Sequence, residues 1–164
     1  MLRILDITAP DINNGNGIRI TLWVSGCKHH CKGCHNEWTW NYYNGKCFIG
    51  NEKEIFDKLS EWLDRDYVEG LTFSGGDPLC QDKDGLYEIY DIIKWFREKY
   101  PTKNIWLYTG YVYEDLKGLQ KEIVDMVDVI VDGPYIEAKR DIAHTPFRGS
   151  TNQRIIYNTK KAES

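Results

Sequence analysis

Four short apolar runs rich in β-branched and aromatic residues, at residues 19–24, 70–73, 104–108 and 128–131, alternate with longer stretches of helical spacing. No other feature limits the fold as strongly. Residues 52–66 put Ile55, Phe56, Leu59 and the pair Trp62/Leu63 on one helical face, and residues 86–100 do the same with Ile89, Ile92/Ile93 and Phe96. Pro101 stops the second helix, and residues 114–127 predict a third, broken at Gly118. Strands that alternate with helices pair in parallel through right-handed crossovers. The expected class is therefore α/β with a mainly parallel sheet. A chain of 164 residues is too short for eight strand-helix units, so a partial, open (β/α) barrel is expected rather than a closed one. The length also fits one domain over residues 1–164. Residues 151–159 could add a late edge strand, and the cluster Asn13-Asn14-Gly15-Asn16-Gly17 is a turn ahead of the first run.

Each of the four runs ends in a small, polar or glycine-bearing segment: Ser25-Gly26-Cys27, Ser74-Gly75-Gly76-Asp77-Pro78, Thr109-Gly110-Tyr111 and Asp132-Gly133-Pro134-Tyr135. In a parallel sheet these ends share one edge, the side on which α/β folds bind ligands. Any one of the glycines could serve only to turn the chain, but four such segments together point to one site. Glycine there would also let a ligand approach the backbone, whose amides can hold a carboxylate or amine.

The first segment opens a loop, residues 26–36, that carries Cys27, Cys31 and Cys34 in the spacing CxxxCxxC. A cubane iron-sulfur cluster has four irons and is usually held by four cysteines. Three thiolates would leave one iron open to a small zwitterion. Zinc is the rival, because His29, His30 or His35 could complete a Cys3His tetrahedron. Structural zinc, however, usually draws its ligands from two separated knuckles, and a closed zinc site leaves the other strand ends without a purpose. Lys28-His29-His30 reads as an exposed basic tip of the loop. Cys47 and Cys80 stand apart, and each reads as a partly buried thiol with no role.

Composition removes several classes of function. With 21 basic and 25 acidic residues, a formal charge of −4 and a pI near 5.6, the chain offers no general polycation for phosphate backbones, so no nucleic acid partner is expected. Residues 1–6 lack the apolar core of a signal peptide and no stretch approaches a membrane span, so a cytoplasmic protein with no membrane partner is expected. Most of the six tryptophans and eleven tyrosines should be core or interface. Trp38, Trp40, Tyr42 and Tyr43 follow the cysteine loop in a polar segment, which suits a shield or a partner contact.

Taken in order, CxxxCxxC, Gly33-Cys34-His35-Asn36, Ser74-Gly75-Gly76-Asp77-Pro78-Leu79, Thr109-Gly110-Tyr111 and Arg148-Gly149-Ser150-Thr151-Asn152-Gln153 resemble the radical S-adenosylmethionine enzymes, in the small branch that activates glycyl radical enzymes. Within that branch the segments are similar to activators of anaerobic ribonucleoside-triphosphate reductase, over nearly the whole chain. The resemblance implies a [4Fe-4S] cluster on Cys27, Cys31 and Cys34, and S-adenosylmethionine as the second cofactor. It also implies that Gly75, Gly76 and Asp77 receive the methionyl ammonium, that Gly33, Cys34 and His35 border the adenine, and that no other catalytic side chain is needed. The implied partners are the large subunit of the reductase and a one-electron donor such as reduced flavodoxin. Alternative targets are another glycyl radical enzyme, such as pyruvate formate-lyase, or a small molecule. Three departures stand out: Gly33 where many relatives carry an aromatic residue, Asn14 where related activators often have an acid, and Asp77 for the commoner glutamate. Arg148 would anchor a carboxylate or lie in a surface ion pair.

Overall fold

The structure, a computed structural model, describes residues 1–32, 34, 37–140 and 147–158. One seven-stranded mixed sheet runs through it, made of β1 (Arg3–Asp11), β2 (Ile18–Val24), β3 (Lys46–Cys47), β4 (Val68–Gly75), β5 (Asn104–Tyr108), β6 (Val129–Asp132) and β7 (Arg154–Tyr157). The order is β3-β1-β2-β4-β5-β6-β7. The four expected runs form its parallel centre, and β1, β3 and β7 are antiparallel additions at the edges. Between the strands lie α1 (Glu52–Leu63), α2 (Lys83–Lys99) and α3 (Leu119–Met126). The sheet is open and not closed.

Because β2, β4, β5 and β6 follow one another across the sheet without reversal, right-handed crossovers place every helix on the same face. Side-chain alternation shows it. Ile20, Leu22, Val24, Leu71, Phe73, Ile105, Leu107 and Ile130 share one core with Ile55, Leu59, Ile89, Ile92, Ile93, Phe96, Ile123 and Val124 of the helices. The alternate residues Arg19, Thr21, Trp23, Thr72, Ser74, Trp106 and Tyr108 stand on the other face, which no helix among the described residues covers. There Trp106, Val129 and Val131 form a smaller cluster with Tyr108, Phe147 and Ile155.

The start of α2 differs from that expected. α2 begins three residues early because the Asp82 side chain accepts the Gly85 amide at 2.7 Å and caps the first turn. The predicted break at Gly118 is present: a short 3-10 turn, Tyr113–Asp115, precedes it, and Gly118 takes a positive φ of 54° before α3. Among the described residues no helix is long and apolar enough to cross a membrane.

The uncovered face has a polar floor. Arg19 is fully buried and donates Nε to Thr72 Oγ1 at 2.8 Å, Nη1 to Asn104 Oδ1 at 2.6 Å and to Asn16 O at 3.1 Å, and Nη2 to Leu71 O at 2.9 Å and Asn104 O at 3.3 Å. Burial lowers its pKa to about 10, still well above neutrality. Thr72 Oγ1 in turn donates to Asn14 O at 2.6 Å, so one guanidinium ties the turn at 12–17 to β4 and β5.

Candidate metal and cofactor site

A cavity of about 550 Å³ opens on the uncovered face at the C-terminal strand ends. Its walls draw on all four signature segments, through Cys27, Ser74 to Asp77, Thr109 and Gly110, and Gly133 and Tyr135. Cys31, Cys34 and His29 of the loop, the turn residues Asn13 and Asn14, and Arg148 complete it. The convergence expected of a parallel sheet is therefore met, and Cys27, Cys31, Cys34, Gly75, Gly76 and Asp77 share one cavity. Gly33 and His35 lie outside the described residues.

The thiols are not clustered on a single point. Among the described residues no three His, Cys, Asp or Glu side chains approach closely enough to chelate one ion. The sulfurs instead line a cavity with room for a multi-atom cluster and a small ligand beside it. Burial raises the Cys27 thiol to about 11 and also raises Cys31. The loop starts from a fixed base: the amides of Gly26 and Cys27 donate to Thr39 O at 2.7 Å and Trp40 O at 3.3 Å. Gly26, with φ 99°, has no space for a side chain, because a Cβ would overlap the Tyr42 ring.

The second segment is bonded into the sheet. The amides of Gly76 and Asp77 are not free for a ligand: they donate to Val24 O at 2.8 Å and Gly26 O at 2.7 Å, extending the parallel ladder into the cysteine loop. A Cβ on Gly75 would stand 2.5 Å from Val24 O, so the close approach that glycine permits here is to the neighbouring strand. Asp77 is almost fully buried. Its Oδ1 accepts the Leu79 amide at 2.9 Å, while Oδ2 accepts the Gly110 amide at 2.8 Å and the Thr109 hydroxyl at 3.0 Å and lies 2.7 Å from His29 Nε2.

His29 is accordingly no exposed tip. Its side chain is only 20% exposed, and the Asp77 carboxylate raises its pKa. His30 is exposed but stacks on Trp40 with centroids 4.4 Å apart. Neither imidazole is arranged as a fourth ligand. In the aromatic segment Trp38 leans on Trp23 of β2 at 5.9 Å, and Tyr42 donates to Cys80 O at 2.7 Å and approaches Cys80 Sγ at 3.2 Å, while Tyr43 stays exposed. Cys80 is buried against Tyr42 rather than partly exposed, and Cys47 sits at the sheet edge.

Three further residues find their places. Asp132 points away from the cavity into a clamp, accepting Arg154 Nε at 3.0 Å and Nη2 at 2.5 Å and the Tyr113 amide at 2.8 Å. Arg148 lines the cavity and donates Nη1 to Gln153 O at 2.9 Å. At position 14, where related activators often have an acid, Asn14 Nδ2 donates to Asp11 Oδ2 at 2.7 Å; Asp11 is buried and also accepts Thr21 Oγ1 at 2.6 Å and the Asn13 amide at 2.8 Å. No motif singles out Asp11, although Asp-Ile-Asn at the end of β1 is the pattern of an Asx turn.

Comparison with known proteins agrees with this geometry. Residues 13–156 match the family described as the 4Fe-4S single cluster domain. The chain is 43% identical over 150 residues to the anaerobic ribonucleoside-triphosphate reductase-activating protein of Enterobacteria phage T4, covering 91% of this chain and 90% of the relative. It is 38% identical to the protein of that name from Escherichia coli strain K12, covering 88% and 92%. The Haemophilus influenzae protein of that name is 37% identical over 160 residues, covering 97% of this chain and 99% of its own.

Proposed function

Since the chain belongs to the family of anaerobic ribonucleoside-triphosphate reductase-activating proteins and carries its 4Fe-4S domain, we propose that it is a radical S-adenosylmethionine oxidoreductase that installs a glycyl radical on such a reductase. The observation that carries this reading is the cavity itself, where three thiols on one loop face the strand ends of an open sheet. We read that sheet as the partial barrel of the radical S-adenosylmethionine type.

Cys27, Cys31 and Cys34 would hold the cluster, and the main-chain carbonyls of Gly75 and Gly76 would receive the methionyl ammonium. Asp77 contributes by fixing that strand end, since its carboxylate already accepts contacts from several directions. The described part of the adenine border is Cys34, with Gly33 and His35 expected beside it. When bound, the reduced cluster supplies one electron that splits the sulfonium from C5′, giving methionine and a 5′-deoxyadenosyl radical able to take a hydrogen from glycine. The protein's task is to exclude water and competing hydrogens and to seat the target glycine within near-contact distance. Trp23, Tyr108, Tyr135 and Phe147 give the cavity an aromatic lining suited to that exclusion. The partner's glycine loop would enter over the strand ends and help close the site, and a donor such as reduced flavodoxin would supply the electron.

Anaerobic reconstitution with iron and sulfide, followed by reduction and addition of S-adenosylmethionine and the large reductase subunit, should give a glycyl-radical paramagnetic signal on the reductase that vanishes when S-adenosylmethionine is omitted. Formation of 5′-deoxyadenosine with no reductase radical would redirect the activity to another glycyl radical enzyme or a small molecule. A colourless protein with zinc and no sulfide would end the reading.

A further inference from the structure

His29 joins the cysteine loop to two of the other strand-end signatures at once. Its Nε2 lies 2.7 Å from Asp77 Oδ2 after β4, and its ring stands edge-on to Tyr111 after β5, with centroids 4.7 Å apart at 82°. Its own backbone belongs to the cysteine loop after β2, two positions from Cys27 and two from Cys31. Gly110 makes room for it: a Cβ there would come within 2.6 Å of the imidazole. The Gly110 amide and the Thr109 hydroxyl bond the same carboxylate oxygen, so the three segments meet on one atom.

We propose that His29 is a positioning residue that holds the cysteine loop in its arc across the strand ends through its bond to Asp77, before any metal is present. A loop that must present three thiolates to one cluster loses conformational freedom on assembly, and a bond formed in advance lowers that loss. The loop's described internal main-chain bond, Cys34 N to Cys31 O at 3.1 Å, fixes only its last turn. The contact of His29 with Asp77 fixes its middle. The carboxylate thus serves as an anchor for the loop, a role distinct from binding the cofactor amine. The inference rests on the proposed site only in its consequence for cluster assembly, because the positioning itself is a property of the apoprotein.

Glutamine can place an amide nitrogen near the position of Nε2, whereas asparagine stops one methylene short, so the pair H29Q and H29N tests the bond without changing charge type between them. In the apoprotein, amide exchange across residues 27–32 should accelerate about tenfold in H29N, the order expected when one hydrogen bond to a charged group is lost, and stay near wild type in H29Q, with residues 104–108 unchanged in both. Iron and sulfide retained per chain after reconstitution should fall in H29N and recover in H29Q. Equal exchange and equal cluster content in all three proteins would overturn the proposal. So would an H29Q variant as impaired as H29N, or a loss of protection throughout H29N, since His29 would then support the fold and not the loop. Failure of the wild-type protein to cleave S-adenosylmethionine would refute the proposed function while leaving the exchange result to decide this inference.

Discussion

Alanine at Cys27, Cys31 or Cys34 should each abolish the iron-sulfur absorbance and reduce 5′-deoxyadenosine formation by well over about 100-fold, since even outer-shell partners of a metal site commonly cost 10–100-fold. The thiols would supply ligands from a single loop, and the described histidines beside them are engaged elsewhere, His29 with Asp77 and His30 with Trp40. Cys47→Ala, at the sheet edge, should retain both cluster and product. Cys80→Ala should also retain them, at a stability loss of about 1 kcal/mol for a buried sulfur contacted by Tyr42. Iron and sulfide analysis with product quantification checks all five variants. Retention of the cluster by any of the first three, or its loss in Cys47→Ala, would refute the ligand assignment.

Arg19→Met should produce a large loss of stability. Methionine fills comparable volume but supplies no donor, so Thr72 Oγ1, Asn16 O, Leu71 O and both oxygens of Asn104 lose a partner. An unsatisfied buried acceptor costs about 1–3 kcal/mol, and relief of the desolvated cation offsets part of the total, so the net loss should be about 3 kcal/mol. For a chain of this length that corresponds to a fall of about 6–12 °C in Tm. The floor turn should loosen as well, because Thr72 holds Asn14 in place. Calorimetry of the apoprotein tests this; a Tm within about 2 °C of wild type would mean that Arg19 is replaceable and the floor is held by other contacts.

Periodicity made the parallel centre of the sheet legible. Its four strands, α1, α2, the break at Gly118 and the edge strand β7 all lie where spacing and turn residues place them. β1 escaped notice because a register shift between Ile4 and Asp6 breaks its alternation, and Pro10 near its end speaks against a strand. β3 is only two residues long, too short to carry a pattern. The site was legible as a convergence of strand ends, since topology alone dictates that edge. Its internal wiring was not. The contact of His29 with Asp77 spans 48 positions, and Gly110 reads as a turn glycine until the imidazole beside it is seen. Asp132 stood among the signature residues by position, yet Arg154, 22 residues later, draws it into a clamp. The carboxylates at 77 and 132 look alike in the chain, and long-range partners alone separate their roles.

The open-iron account stands most directly on one measurement: anaerobic quantification of 5′-deoxyadenosine and methionine after the reconstituted, reduced protein meets S-adenosylmethionine. It predicts both products in equal amounts, dependent on the reductant and on Cys27, Cys31 and Cys34 together. A reduced protein that holds its full iron and sulfide and leaves S-adenosylmethionine intact, with or without the reductase, would contradict it.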